Sequence, residues 1–147
     1  MKPFFLCCLV LLATACDLRN NGDREAMNVA AEWADAYFNA DYHAAEALCT
    51  PDSRRYLAFA ASNTTQHDLD LLKATPANVE TDDFFPEAND TLRVVMLKVH
   101  HYIRPALLGQ TSRQEDEGLF RVTVVKRSNR WLVRMADLPR SEKQSRD

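Results

Sequence analysis

The chain has 147 residues, one domain's length, with 46% hydrophobic and 27% charged residues, which excludes a largely disordered chain and a polytopic transporter. Its three glycines, Gly22, Gly109 and Gly118, exclude a glycine-rich phosphate loop or a dinucleotide fingerprint. A net charge of -3 leaves no basic footprint for nucleic acid.

Lys2 and the apolar run Phe4 to Leu12 open the chain. A bilayer span needs about 20 apolar residues, so the run reads as the core of a signal peptide. It ends in Leu12-Ala13-Thr14-Ala15-Cys16, which resembles a bacterial lipobox. That resemblance implies removal of residues 1–15, a diacylglyceryl group and palmitate on Cys16, and a lipid anchor in the inner or outer membrane. The alternative is cleavage at Ala13-Thr14-Ala15 as an ordinary secretory signal, which leaves Cys16 a plain thiol. Cys7 and Cys8 leave with the signal, so Cys49 stands alone in the folded part and an internal disulfide is excluded.

Residues 16–23 (CDLRNNGD) read as the lipidated cysteine and a polar tether, and 24–138 as a single domain. Asp23 is the expected N-cap of a helix from Arg24 to Asn39. There Glu25, Asn28, Glu32, Asp35 and Asn39 draw one wet stripe, and the remaining face is apolar. Asp41 is placed to cap a short helix through Leu48. Thr50-Pro51 starts another to about Ala61 that buries Tyr56, Leu57 and Ala60. Thr65-Gln66-His67-Asp68 has capping-box spacing and opens a last helix to about Ala74, burying Leu69 and Leu72.

Beyond Pro76 the period changes to two. Asn78 to Phe85 is a weaker strand. Thr91 to Ile103 alternates, with Val95, Leu97, Val99, His101 and Ile103 on one face. Leu119–Lys126 and Arg130–Ala136 alternate likewise, joined by a tight turn at Ser128-Asn129, and Trp131 faces inward. Arg104 to Gly118 reads as a long connection with a disordered acidic tip at Glu115-Asp116-Glu117, and 139–147 as a disordered tail. The whole is α+β: N-terminal helices packed on a curved antiparallel sheet of about four strands.

Several stretches together carry a family resemblance. The buried first helix, Asn39-Ala40-Asp41-Tyr42-His43-Ala44-Ala45, Leu48-Cys49-Thr50-Pro51-Asp52 and the closing Asn129-Arg130-Trp131-Leu132-Val133 look like small lipoproteins of the nuclear-transport-factor-2-like superfamily. The resemblance covers roughly Arg24 to Leu138. It implies a cone whose sheet and first helices enclose a pocket that binds a small ligand in some members. In others, similar to ketosteroid isomerases, the pocket does acid–base work with a carboxylate base.

Tyr37, on the buried side of the first helix, and His101, on the apolar face of the longest strand, are the expected lining residues. No Asp or Glu lies between Thr91 and Tyr102 or on the apolar faces of the last two strands, so no catalytic residue is assigned. His100 and His101 point to opposite strand faces, with His43 and His67 far off, so no metal site or cofactor is assigned either. The expected role is a non-catalytic envelope module that binds a small ligand or a partner protein. The alternatives are a small-pocket isomerase or dehydratase, told apart by a deep polar pocket, and a structural subunit of an envelope complex, told apart by a filled cone.

Overall fold

The computed structural model describes residues 10–86, 89–106 and 110–142, with side chains from residue 21 onward except at Pro86. Four helices precede four strands: α1 (Val10–Phe38), α2 (Tyr42–Ala47), α3 (Arg54–Asn63), α4 (Gln66–Ala74), β1 (Asn78–Pro86), β2 (Leu92–Arg104), β3 (Arg113–Arg127) and β4 (Arg130–Val133). The strands form one antiparallel sheet in the order β1-β2-β3-β4, not closed into a barrel, so the fold is α+β with helices followed by a meander. Among the described residues no helix is long and apolar enough to cross a membrane.

α1 lies across the sheet and supplies the centre of the core. Its Ala26, Ala30 and Ala34 are fully buried, and their lack of bulk lets the strands approach closely, while Trp33 and Phe38 fill the space beside them. The wet stripe at Glu25, Asn28, Glu32 and Asp35 is exposed as expected. The helix start is not as expected. α1 runs unbroken from Val10, so the backbone of the end of the expected signal (10–15) and of the expected tether (16–23) is helical, and Asp23 caps nothing. Asp23 lies inside the continuous helix, where no free N-terminus exists for it to cap, and its carboxylate accepts from Arg93 Nε of β2 at 2.8 Å. Residues 1–9 of the expected signal and the Cys16 side chain lie outside the described residues.

α2 and α4 start where their caps predict. Asp41 accepts from the Ala44 amide, and Thr65 and Asp68 form both halves of a capping box. Pro51–Ser53 is a 3-10 turn leading into α3, with Leu57 buried. Leu69, expected inside, is 42% exposed, and Leu72 is the buried apolar residue of α4. The short stretch before the 3-10 turn adds to the sheet. Thr50 N–H donates to Val133 O and Val133 N–H to Leu48 O, so Cys49 pairs in parallel with β4 and covers its outer edge.

β2 and β3 are paired over their lengths, and the partners continue into the predicted connection. The acidic run Glu115-Asp116-Glu117, expected to be a disordered tip, is β3 strand. Glu115 bonds Arg113 at 2.8 Å and lies 3.5 Å from Arg104, so its charge is matched across the ladder. Ser128 and Asn129 both take positive φ (48° and 62°), the geometry of the two-residue hairpin turn the sequence signalled. Beyond β4 the chain is not a free tail where it is described. Ser141 is buried and bridges to Phe120, and Glu142 N–H donates to Leu119 O, so the segment runs along the part of β3 that β4 leaves open. Residues 143–147 of the expected tail lie outside the described residues.

Candidate functional site

α1, α2, α3 and α4 meet the far end of the sheet around a cavity of about 410 Å³. The last turn of α1 puts Tyr37 and Phe38 on its floor. The turn that follows is tight: Ala40 has φ 62°, and the Asn39 side-chain amide exchanges two hydrogen bonds with the Ala77 backbone (2.9 and 3.1 Å). That exchange pins the start of β1 against the end of α1 and fixes the angle at which α2 brings Tyr42 to the wall. Phe59, Ala60 and Asn63 of α3 form the opposite wall, and the capping box of α4 closes one end. Leu138 and Pro139 complete the lining, held there because the chain leaves β3 after Arg134 and returns to it at Ser141.

The floor is aromatic. Trp33 stacks on Tyr37 with centroids 5.0 Å apart, Tyr42 meets Tyr37 edge-on at 5.7 Å, and Phe120 sits 4.6 Å from Phe38 and 5.0 Å from Tyr102. Tyr102 can lie over β3 because residue 118 is glycine; a Cβ there would come within 2.8 Å of the Tyr102 ring.

Tyr37 is where the sequence placed it, lining the cavity. Burial pushes its phenol well above the ordinary tyrosine range, so it is a neutral hydrogen-bonding group, and no protein group hydrogen-bonds its hydroxyl among the described residues. His101 is not where it was placed. It is exposed and takes no part in the lining. Its φ of 57° breaks the alternation of β2 and turns the imidazole outward, and Tyr102 takes the inward position at 5% exposure. The strand end is held in this form by Gln114, whose side-chain amide donates to the His101 and Thr75 carbonyls.

The carboxylate that the strands lack is supplied by α4. Asp68 is 6% exposed and lines the cavity. Its Oδ2 accepts from the Thr65 amide (2.8 Å) and hydroxyl (2.9 Å), and its Oδ1 accepts from the Ser112 hydroxyl. Burial works to raise this carboxyl, but the hydrogen bonds from Ser112 and Thr65 outweigh it and hold it below the usual carboxylate range. It is an anion at neutral pH and, among the described residues, the one charged side chain of the lining. The sequence shows Asp68 only as a capping residue; in the fold α4 places it in the lining, where Ser112, 44 positions away, donates to it.

Tyr42 donates to or accepts from Thr64 Oγ1 at 2.8 Å, and burial raises its phenol also. Cys49 is buried, and burial pushes its thiol up to about 11, so it is a neutral core group. Among the described residues no three His, Cys, Asp or Glu side chains come together as metal ligands. His43 and His67 are exposed, and His100 faces Glu80 at 3.8 Å. The chain matches no family model, no curated protein and no solved structure.

Proposed function

We propose that the chain is a lipid-anchored protein of a bacterial envelope whose domain holds a small ligand in this cavity without chemical turnover. The observation that carries the reading is the cavity itself: about 410 Å³, with aromatic walls and a few polar groups at one end. Such a composition gives affinity through apolar surface and orientation through a small number of hydrogen bonds. The cone fold of the nuclear-transport-factor-2-like superfamily is proposed on the same footing, supported by the helices-then-meander order and by a hollow between them. Against isomerase chemistry stands the state of Asp68. A carboxylate held as a weak base by three donors is poorly matched to proton abstraction near neutral pH.

Two experiments test the reading. Ala60 lines the cavity from α3, and Ala60→Phe places a ring inside it. In a thermal-shift panel of small aromatic compounds on the full chain, at least one compound at a hundredfold excess over its Kd should stabilise the wild type by about 2.7 kcal/mol. The same compound should not stabilise Ala60→Phe, and it should be recovered chemically unchanged. A panel with no stabilising compound, or stabilisation that survives Ala60→Phe, removes the cavity as the site.

The anchor is tested by fractionating cells that express wild type and Cys16→Ala. The wild type should sediment with membranes and incorporate labelled palmitate, and the variant should be soluble and unlabelled. Equal solubility of the two forms removes the lipoprotein reading.

A further inference from the structure

We infer that the cavity selects small organic monocations, an ammonium group on a compact apolar body, over neutral and anionic ligands of the same shape. The inference rests on the reading of the cavity as a ligand site and narrows what it takes.

Three features carry it. The first is charge. Among the described residues Asp68 is the single charged side chain of the lining, and no lysine, arginine or histidine lines the cavity to balance it or to receive an anion. The second is vacancy at the carboxylate. Capping α4 uses Oδ2, which accepts both Thr65 donors; among the described residues Oδ1 accepts only the Ser112 hydroxyl. A carboxylate oxygen can accept two hydrogen bonds, so Oδ1 retains an acceptor position beyond what the helix cap needs. The capping role and ligand contact therefore fall on different oxygens. The third is the wall. Tyr37, Tyr42 and Tyr102 are electron-rich rings, and Phe38, Phe120 and the 56% exposed Phe59 add three more rings to the lining. Aromatic faces attract a cation that has shed part of its water, and the buried carboxylate supplies the compensating charge. An anion would meet Asp68 with no counter-charge, and a neutral ligand would use the walls alone.

The test measures binding of three isosteric probes to the full chain by ligand-observed NMR: 2-phenylethylamine, 2-phenylethanol and phenylacetate at pH 7. The amine should bind at least roughly tenfold tighter than the alcohol, the worth of one charge-assisted contact, and the acid should not bind. Asp68→Asn keeps an acceptor for the Thr65 amide and removes the charge, so the amine-to-alcohol ratio should fall to about one. Should that variant fail to fold, the ranking of the three probes on the wild type decides by itself. An amine that binds no better than the alcohol, or a ratio that survives Asp68→Asn, overturns the cation preference while leaving the cavity as a ligand site. Failure of all three probes overturns the cation preference, and the thermal-shift panel then decides the ligand site.

Discussion

Trp131→Ala should destabilise the fold by about 3–5 kcal/mol, the usual cost of truncating a buried aromatic side chain. Trp131 is 5% exposed on β4, the shortest strand, and it packs into the core cluster together with Val124 and Val133. It is also the platform for two cations: the Arg93 guanidinium lies 5.4 Å from its ring and the Lys126 ammonium 5.7 Å. Removing the ring opens a void and takes one aromatic contact from a buried guanidinium in the same step. Single domains have stabilities of about 5–15 kcal/mol, and Cys49 is a free thiol, so the loss is a large fraction of the total. Urea denaturation of the full chain measures it; an unchanged midpoint would mean that the ring does not support the sheet.

The second large effect is expected at the tie between α1 and β2. Arg93 is 4% exposed at its side chain and donates to Asp23, to Asn89 O and to Leu92 O. Asp23→Ala leaves that guanidinium buried with two carbonyls and no counter-charge, a change that costs about 3–5 kcal/mol in comparable sites. Arg93→Met removes the charge but keeps an apolar stem against Trp131. The double variant Asp23→Ala/Arg93→Met should therefore be more stable than Asp23→Ala alone, with a coupling of roughly 0.5–3 kcal/mol in the cycle. Strict additivity would show that the pair is solvated. No comparable loss is expected from the exposed pairs, such as Arg54 with Glu46 or Arg127 with Asp52, since surface pairs contribute about 0–1 kcal/mol.

The parts of the fold that local rules control were legible in the sequence. The exposed stripe of α1, the capping box at Thr65, the left-handed pair Ser128-Asn129 and the alternation through Val95, Leu97 and Val99 each follow from spacing or from backbone preference within a few residues. The parts that were not legible depend on distant partners. Arg113 to Glu117 reads as a loop because of its charges, and it is strand because β2 continues opposite and Arg104 meets Glu115. Leu48-Cys49-Thr50 is too short to show a period and is placed by its bonds to Val133. At the site, Tyr37 was found because its helix face shows its direction. Asp68 was passed over because a carboxylate in a capping box looks fully used until Ser112 is seen beside it.

An extended strand tells its two sides apart by parity: odd positions go one way, even positions the other. In β2 the inward residues Val95, Leu97 and Val99 are odd, and the next inward residue, Tyr102, is even. The torsion at His101 acts as a parity switch, doing the work of a one-residue insertion while the pairing with β3 stays in step from Leu92–Val125 to Arg104–Arg113. One strand thereby serves two different interiors. Its first part is a wall of a solid core under α1, and its last part is a wall of a hollow. The single left-handed torsion at His101 thus lies where the strand passes from filled to hollow interior, and the imidazole beside it is a bystander to the cavity that Tyr102 and Ile103 line.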